Sequence, residues 1–599
     1  MASLAGGGRD EIFNRGTIVG DVDLGGGDDA FIAFAGSSLA GRLSGGAGSD
    51  RLNFFGGGTV DFMTDGIENM VMVADEGLIV RGRLDITDTA ALVSGELTVA
   101  AGGRLQARQI LVSRGARLTG PGTVAGAVAL QGELAPGPGI GTLAIDGDVT
   151  HEAGSTLRID LGPGRTGDRL VLTGQARLGG TLALTSPSGV FYRGGESYDI
   201  IVAGRGIDGA FDRITELSSA FLRTATALST DRRTLSLLVE RIPYASAART
   251  LNGAAAAGAL DQALNGNRAA LQATFSALDS MPLAEAAASF ERLASPLPVA
   301  LSSAAEVAGR AMHDSLDRWL ARAPTAERWQ AWGHAQRSEG GPTEKRTRGQ
   351  GTAYAYRGVT QTAGFDARIG DTARAGLALG RADVDLRLRA QPAQADIEQT
   401  SLAAYAGAAW SAVRVGGGIV VGDGDADLSR PSSLDAARSV ASQTDIDSRN
   451  AFVSAATAIA TGAFVFEPDL GMTYARTKID GYRETGPLAL QIGPQRHTSA
   501  RLEAGALLTT RHQTVRPVLL LRASRELHAR HATVRASLMD DPTAPFDIIG
   551  VVPRKTWLTG SFSLAADVTD ALSLRLGVEG NLTDSIGGRS VFAGAALRW

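Results

Sequence analysis

The sequence predicts a mainly all-β protein in three parts: a right-handed parallel β-helix, an α-helical linker, and an antiparallel transmembrane β-barrel of about 12 strands. Three observations lead to this fold class. Short apolar stretches alternate with glycine-containing turns in the first part. An alanine-rich stretch has helical periodicity in the second, and long strands of alternating polarity fill the third. The predicted boundaries are 1–241, 242–325 and 326–599.

Composition excludes several classes of protein. A chain of 599 residues is too long for one ordinary domain. It contains no cysteine, so neither a disulfide framework nor thiol chemistry is expected. A formal net charge of −5 gives no sign of nucleic-acid binding. No apolar run reaches the roughly 18 residues of a membrane-spanning helix.

The first part has the pattern of a repetitive solenoid. The stretch GELTVAAGGRLQARQILVSRGARLTGPGTVAGAVALQGELAPG (Gly95–Gly137) contains several short apolar alternations separated by turns at fairly regular spacing. Many short strands at even spacing are typical of a β-solenoid, in which each rung buries its inward side chains against its neighbours.

Two glycine-rich segments resemble calcium-binding repeats. GGAGSDRLN (Gly45–Asn53) matches the pattern G-G-x-G-x-D-x-U-x, and LGGGDDAFI (Leu24–Ile32) matches it except at its first residue. Asp29 and Asp50 are therefore candidate calcium ligands, and no other cofactor is expected. The alternative is that these segments form tight solenoid turns. We favour it because a calcium site needs six or more oxygens.

Residues for enzymatic catalysis are sparse in the first part. His151 is its only histidine, and no serine lies in a G-x-S-x-G motif. Paired carboxylates, such as Asp28 with Asp29 or Asp146 with Asp148, could act as acid and base on glycans. Acidic pairs in glycine-rich segments are more often turn formers, so we expect no enzyme. A glycan-active hydrolase or lyase is the alternative.

The second part predicts a long helix over about 299–322. Alanine, leucine and arginine are strong helix formers, and the apolar residues of this stretch fit no period of two. Pro296 and Pro298 precede the helix and Pro324 follows it, where prolines delimit helices.

The third part predicts a membrane barrel. In ALSLRLGVEGNL, Leu572 to Val578 alternate apolar and polar side chains, and similar segments recur up to the C-terminus. Short turns alternate with longer polar loops near 389–396, 430–442, 485–496 and 531–553, as in outer-membrane barrels. Aromatic residues near strand ends are expected to form interfacial girdles: Trp329, Trp332, Tyr354, Tyr356, Trp410 and Trp557. A soluble β-rich protein is the alternative, but inward arginine and glutamate side chains would be costly in a dry core.

Three segments carry a resemblance to a known family. LAPGPGIGTLAIDGDVTHEAGSTLRIDLGPGRTGDRLVLTGQARLGGTLALT (Leu134–Thr185) is similar to the end of autotransporter passengers, and FEPDLGMTYARTKIDGYRETG (Phe466–Gly486) is similar to a mid-barrel strand. The final strand, RSVFAGAALRW, resembles the family's sorting signal, with Leu597 and Trp599 as its apolar end. The family usually ends in Phe. The chain thus resembles an autotransporter of Gram-negative bacteria (type V secretion).

The resemblance implies a function. The barrel would insert in the outer membrane and support export and surface display of the first part, the passenger, as a stalk or adhesin-like module. The predicted helix would thread the barrel lumen. The side chains expected to contact charged lumen residues are Arg310, His313, Asp314, Asp317 and Arg318.

The resemblance also implies partners and a location. The expected partners are outer-membrane lipids and lipopolysaccharide, the barrel-assembly machinery and an unknown surface ligand. The barrel is expected to be a monomer. The start of the chain, MASLAGGGRDEIFN, lacks the basic and apolar regions of a secretory signal. We expect the natural chain to carry such a signal upstream.

Overall fold

The computed structural model describes residues 2–187, 189–266, 268–322, 327–342, 353–511, 514–528, 532–551, 555–583 and 588–599. The chain divides into two compact units. One unit comprises Met1–Ile242 with Phe275–Met281, and the other comprises Pro243–Thr274 with Pro282–Trp599.

The N-terminal unit is a stack of short strands that pair in parallel with the strands of the next rung. Its strands are β1 Ala2–Gly6, β2 Glu11–Asn14, β3 Thr17–Val19, β4 Val22–Gly25, β5 Ala30–Phe34, β6 Ser38–Ala40, β7 Arg42–Ser44, β8 Arg51–Phe55, β9 Gly58–Val60, β10 Met63–Asp65, β11 Ile67–Val73, β12 Leu78–Val80, β13 Arg83–Val99, β14 Arg104–Val112, β15 Ala116–Thr119, β16 Thr123–Leu130, β17 Glu133–Ala135, β18 Thr142–Asp146, β19 Val149–His151, β20 Thr156–Asp160, β21 Arg169–Leu172, β22 Gln175–Leu178, β23 Thr181–Thr185, β24 Glu196–Ala203, β25 Gly206–Gly209, β26 Arg213–Thr215, β27 Leu222–Leu228 and β28 Thr234–Arg241.

The rungs repeat at a near-constant spacing. Phe31 pairs with Leu52, and Leu84 pairs with Leu105, an offset of 21 residues in both cases. Because register partners point to the same side, each inward position becomes a ladder of apolar side chains. One such ladder is fully buried along the unit: Phe31, Leu52, Met70, Ala90, Ile110, Val128, Val149, Ala176 and Ile207. The predicted solenoid of stacked parallel strands is confirmed.

The last rungs of this unit change to antiparallel pairing. Strand β24 pairs with β28, and β28 in turn forms a hairpin with β27. This hairpin covers an edge that would otherwise expose unpaired backbone groups.

Four α-helices lie between the solenoid and the barrel. They are α1 Leu251–Asn265, α2 Gln272–Ser280, α3 Leu283–Leu293 and α4 Leu297–Leu320, with 3-10 turns at Tyr244–Ala247 and Ala269–Leu271. Thr250 caps α1, because its hydroxyl accepts a hydrogen bond from the Gly253 N–H (3.0 Å). The predicted helix therefore begins two residues earlier than expected, with Pro298 inside its first turn, where proline is tolerated. Pro324 lies outside the described residues.

None of the described helices combines the length and apolar character needed to cross a bilayer.

The C-terminal part is a closed antiparallel barrel of 12 strands. Its strands are β29 Trp329–Gly340, β30 Tyr354–Ile369, β31 Ala373–Leu388, β32 Gln394–Trp410, β33 Val413–Pro431, β34 Ser439–Thr457 continued by β35 Ile459–Thr461, β36 Phe464–Ile479, β39 Gln495–Thr510, β40 Val515–Glu526, β43 Thr556–Asp567, β44 Leu572–Asn581 and β45 Arg589–Arg598, with β37, β38, β41 and β42 defined below. The first strand pairs with the last from Gln330↔Arg598 to Glu339↔Arg589. Closure leaves no sheet edge, as a lipid environment requires.

The strands alternate between an apolar exterior and a polar interior. In β44, Leu576 is 60 % exposed on the outside, whereas Ser573 is buried inside. In β45, Val591 faces outward at 55 % exposure, and Phe592 points inward at 2 %. The predicted transmembrane pattern of the third part is confirmed.

Two of the predicted polar loops contain further strands. Strands β37 Tyr482–Arg483, β38 Leu490–Ile492, β41 Thr533–Leu538 and β42 Asp541–Ile549 form a separate four-stranded sheet at the long-loop end of the barrel. Asn252 of α1 binds its edge, donating to the Ile549 carbonyl and accepting from the Ile549 N–H (2.9 Å each). The side-chain amide thus satisfies backbone groups that a further strand would otherwise satisfy.

The aromatic girdle was predicted only partly correctly. Trp410 is 54 % exposed on the outside, but the side chains of Trp332, Tyr354 and Tyr356 are buried inside the barrel. Trp557 also points inward, where the Arg501 guanidinium lies 4.8 Å from its ring centroid. Their strand positions have inward parity, so proximity to a strand end was an insufficient criterion.

Candidate functional site: the helix in the barrel lumen

Helix α4 lies inside the barrel, with one face against the wall formed by β30 to β36. This face consists of small or apolar residues, among them Ala304, Ala308, Met312 and Leu316, all buried. Gly309 makes the closest approach: a Cβ added there would lie 3.0 Å from the Ser448 Cβ. An alanine-rich face therefore lets a helix fit a barrel of this width.

The opposite face of α4 is charged, and Glu306 is its first anchor. Its carboxylate pairs with the Arg501 guanidinium and lies 3.0 Å from His497 Nε2. Arg310, one turn further along α4, lies 3.5 Å from the same carboxylate. Arg501 also bonds Glu526 (3.0 Å), so the anchor connects α4 to both β39 and β40.

Asp317 and Arg522 form the second anchor. The Arg522 guanidinium lies 2.8 Å from Asp317, 2.9 Å from Asp469 and 3.5 Å from Glu503. Arg310 reaches the same Glu503 at 4.0 Å. One cation from the wall is thus shared by three carboxylates, which makes the network mutually dependent.

Arg318 forms the third anchor, near the other end of the helix. It lies 2.9 Å from Glu579, donates to Gln336 Oε1 (2.7 Å) and stacks 4.6 Å above the ring centroid of Phe592. These contacts join α4 to β44, β29 and β45. The anchors together connect the helix to the side of the barrel that its apolar face does not touch.

His313 and Asp314 have a different environment. His313 is buried, with Nδ1 3.1 Å from Asp314 and Nε2 3.4 Å from the Thr473 hydroxyl, and its ring packs edge-on against Phe452. The Asp314 side chain is 40 % exposed and lines a polar cavity of about 300 Å³ between α4 and the barrel wall. A polar cavity of this size has room for several waters.

The C-terminal end of α4 is fixed by an aromatic cluster. Trp319 stacks on Trp332 (5.2 Å between centroids), and its indole N–H donates to Asp366 (2.8 Å). Asp366 also accepts from Tyr405 (3.0 Å) and Arg374 (2.5 Å). This cluster holds the helix where the chain turns toward the first barrel strand.

The sequence-predicted lumen residues therefore lie in the lumen, but with unequal roles. Arg310, Asp317 and Arg318 bind charged or polar wall residues directly, whereas His313 meets a hydroxyl and a ring, and Asp314 meets His313. Glu306 was not predicted. A signal was present, because Glu306, Arg310 and Asp314 are spaced four residues apart on one helical face.

The terminal strand residues lie at the seam of the barrel. Leu597 is 48 % exposed and Trp599 is 53 % exposed, both outward. The Trp599 N–H donates to the Trp329 carbonyl, and the Trp329 N–H donates back (3.1 Å each). Phe365 lies between the two indoles, 5.4 Å from Trp329 and 6.1 Å from Trp599. The chain ends as an aromatic cluster at the rim.

The candidate calcium ligands bind backbone donors in neighbouring rungs. The Asp10 N–H donates to Asp29 (2.7 Å), the Asp29 N–H donates to Asp50 (2.9 Å), and the Asp50 N–H donates to Glu68 (2.7 Å). Burial raises the pKa of the Asp50 carboxyl. Among the described residues, no group of three or more acidic or histidine side chains is placed to hold a metal ion. Calcium binding stays a prediction, and no step of the function below depends on it.

The other acidic pairs have similar partners. Asp28 accepts from the Ser49 N–H (2.9 Å), and Asp146 accepts from the Thr173 hydroxyl (2.7 Å). Asp148 accepts from the Gln175 N–H (2.6 Å) and pairs with Arg205 (2.7 Å). Each pair connects adjacent rungs.

A closed barrel with an apolar exterior and a helix in its lumen defines the class of outer-membrane β-barrel proteins. Residues 331–579 match the family model described as the autotransporter beta-domain. This segment is an autotransporter β-domain, and the chain that carries it is an outer-membrane autotransporter.

Solved translocator domains are also similar to this chain. The translocator domain of NalP from Neisseria meningitidis is 18 % identical over 50 % of this chain and 98 % of that one, with a TM-score of 0.42. The β-domain of the Bordetella autotransporter BrkA is 13 % identical over 46 % and 100 %, at 0.35. The transport unit of AIDA-I from Escherichia coli is 10 % identical over 49 % and 98 %, at 0.32. No curated protein sequence matches the chain.

Proposed function

We propose that the barrel supports the export of the N-terminal unit and its display on the cell surface, as a stalk or adhesin-like module. The passenger would be on the outside of the cell and the barrel in the outer membrane. The expected partners are outer-membrane lipids, the barrel-assembly machinery and a surface ligand.

The course of α4 through the lumen is the observation that carries this proposal. At its beginning, Ser302 donates to Gln495, and Val299 packs against Gly550 at the long-loop end of the barrel. At its end, Trp319 binds Asp366, near the rim where Trp329 pairs with Trp599. The chain before α4 therefore leaves the barrel at the long-loop end. In outer-membrane barrels the long loops are extracellular and the short turns periplasmic.

The chemistry of the solenoid supports a non-enzymatic passenger. Its acidic pairs accept backbone or side-chain hydrogen bonds between rungs, as described above. His151 is 5 % exposed and packs against Phe211, so it is shielded from a substrate in solvent. A glycan-active passenger would need two carboxylates facing one open groove. The soluble alternative leaves the apolar exterior of a closed barrel unexplained.

Epitope accessibility tests the proposal. An epitope is inserted after Gly102, in an exposed turn of the solenoid, and a matched epitope after Asp371, in a short turn of the barrel. The full chain is produced behind a signal peptide in a Gram-negative host. We expect antibody to stain the first epitope on intact cells and the second only after permeabilisation. If the Gly102 epitope stains only in permeabilised cells, surface display is wrong.

A further inference from the structure

Outward-facing arginines occupy one boundary of the lipid-facing surface. Along β34 the outward side chains pass from Val453, which is 51 % exposed, through Ala451 to Arg449 and then to Asp447. Along β36 they pass from Met472 (45 % exposed) and Tyr474 (42 %) to Arg476 and Lys478. Two arginines thus lie between the apolar band and a more acidic zone nearer the long-loop end.

The two arginines lie directly opposite each other. Arg449 and Arg476 are register partners in the antiparallel pair β34–β36. Arg496 of β39 is the diagonal neighbour of Arg476, because Arg476 pairs with Thr498 and Lys478 pairs with Arg496. Like charges directly opposite in adjacent strands destabilise a sheet, and diagonal neighbours are still within reach of long side chains. Three guanidinium groups therefore converge on one patch of the exterior.

Nearby carboxylates do not neutralise this patch. Lys478 binds Asp447 (3.6 Å) and Asp480 (2.6 Å), so these two carboxylates are engaged. Among the residues that the structure describes, Arg449, Arg476 and Arg496 have neither an ion pair nor a side-chain hydrogen bond.

Other exterior arginines are different in this respect. Arg381 binds both Asp383 (3.0 Å) and Glu398 (2.6 Å), and Arg589 binds Glu339. An arginine on this surface thus usually has a carboxylate partner. The opposed pair is an arrangement that an external anion would stabilise.

We propose that Arg449, Arg476 and Arg496 bind the phosphate group of an anionic lipid in the outer leaflet. Guanidinium groups bind phosphate through paired N–H donors, and an anion between opposed arginines replaces repulsion with two attractive contacts. Basic residues beside a membrane surface recognise anionic headgroups in this way.

The position of the patch identifies the anion as part of a lipid. Tyr474 lies one outward position closer to the apolar band than Arg476, and Met472 lies two positions closer. Acyl chains packed on these side chains would bring a headgroup phosphate to the depth of the guanidinium groups. Tyrosine is enriched at this interface. A free anion would gain nothing from the apolar neighbours.

Lipid binding by the full chain tests the proposal. Native mass spectrometry in non-ionic detergent would measure binding of lipid A that carries two phosphate groups. We expect the double variant Arg449→Gln, Arg476→Gln to bind at least about tenfold more weakly than the unmodified chain. The matched control, Arg381→Gln, removes an exterior arginine that has carboxylate partners, and should bind as the unmodified chain does. Dephosphorylated lipid A should bind the unmodified chain and the double variant equally weakly.

Two results would overturn the assignment. One is equal binding of diphosphorylated lipid A by the double variant and the unmodified chain. The other is displacement of lipid A by an equal concentration of inorganic phosphate, which would make the patch a general anion site. A gel assay of unboiled and boiled samples confirms that each variant has a folded barrel.

A single charge reversal gives an independent readout. Arg449→Glu places a carboxylate opposite Arg476 and makes an ion pair from a repulsive one. Without lipid, we expect this variant to unfold at a higher temperature than the unmodified chain. Added lipid A should raise the unfolding temperature of the unmodified chain and leave that of the variant unchanged. If both respond to lipid A equally, the phosphate binds elsewhere.

Discussion

At the scale of single residues, Arg522 is the cation on which the lumen network depends. It comes from the barrel wall and faces Asp317 of α4 together with Asp469 and Glu503. Its side chain is 19 % exposed, so water only partly screens these pairs. Removing one member of such a network leaves the others uncompensated.

We predict that Arg522→Gln destabilises the barrel by about 1–3 kcal/mol, below the value for a fully buried pair because the lumen cavity is polar. The temperature at which the heat-shifted gel band is lost measures this effect. Arg381→Gln is the control, since an exposed pair contributes about 0–1 kcal/mol. Equal shifts for the two variants would contradict a special role for Arg522.

A second residue-scale prediction concerns His151 of the solenoid. Burial lowers the pKa of this histidine to about 4, from an ordinary value near 6.5. Between these values the unfolded chain binds a proton that the folded chain does not. Stability is therefore present at neutral pH and is lost as the pH falls from about 6.5 to 4. The loss from this group is up to about 3 kcal/mol.

Comparison with His151→Leu isolates the effect of His151. Asp168, whose pKa is raised to about 6 by burial, contributes in the opposite direction but is present in both proteins. Urea unfolding of the full chain, followed by circular dichroism at pH 7, 5.5 and 4.5, should show midpoints that diverge as the pH falls. Tryptophan fluorescence then reports the barrel separately, because all 6 tryptophans lie at or after Trp319. Parallel midpoints would show that His151 is not neutral in the fold.

The charged residues of α4 could be predicted from the sequence, but their partners could not. The helical face is set by local spacing, which is why Arg310, Asp317 and Arg318 were found. The pairing of Glu306 with Arg501 spans 195 residues and depends on how far β39 is displaced along its neighbours. No local pattern contains that displacement.

At the scale of elements, the fit of α4 depends on Gly309. The neighbouring wall is close enough that the Asn450 side chain donates to the Gly309 carbonyl (2.5 Å). A larger side chain here must push the helix from the wall or distort Ser448. Gly258 in α1 offers a matched comparison, since a Cβ added there meets nothing within 4 Å.

We predict that Gly309→Leu lowers the unfolding temperature of the barrel by several degrees, whereas Gly258→Leu leaves it unchanged or raises it. Overpacking typically costs about 1–3 kcal/mol, while replacing an unconfined helical glycine gains up to about 1 kcal/mol. Tryptophan fluorescence during heating measures both, since Trp319 and Trp332 report the end of α4. If both variants behave alike, close approach at Gly309 is not what positions the helix.

The error in the aromatic girdle shows what an element-level pattern contains. Tyr354 and Tyr356 share their parity with Thr360 and Thr362, which are buried inside, so period-two counting would have placed them correctly. The four-stranded sheet was beyond such counting. Strands β37 and β38 have two and three residues, too few for a period to be visible, and are held by pairing with distant β41.

At the scale of the whole molecule, the barrel closes at its two ends of sequence. Trp599 is an exposed aromatic that belongs both to the last strand and to the aromatic cluster with Phe365 and Trp329. Aromatic residues at this depth anchor a barrel at the membrane interface.

We predict that Trp599→Ser reduces the amount of folded barrel in outer membranes several-fold, and that Trp599→Phe restores it. The control is Trp410→Ser, an outward aromatic of equal exposure (54 %) at a turn away from the seam. The fraction of heat-shifted protein in isolated outer membranes measures all three. A loss in Trp410→Ser as large as in Trp599→Ser would mean that any interfacial aromatic suffices.

The order of the parts could be predicted because each part has its own period. The solenoid and barrel both alternate, but the solenoid has short strands and the barrel long ones. What composition could not supply was the hairpin β27–β28 at the end of the solenoid, where pairing changes from parallel to antiparallel without any change in the alternation of the sequence.

The constant offset between rungs has a consequence for how the passenger can change its length. Phe31 and Leu52 occupy equivalent places 21 residues apart, and each bonds only to the rungs beside it. Deleting 21 residues, such as 30–50, would bring Arg51 into the place of Ala30 and restore every register pair beyond the junction. Removing ten residues would turn inward side chains to the surface in all later rungs. Insertions and deletions in this passenger are therefore tolerated in whole repeats, so its reach from the membrane can vary only in discrete steps.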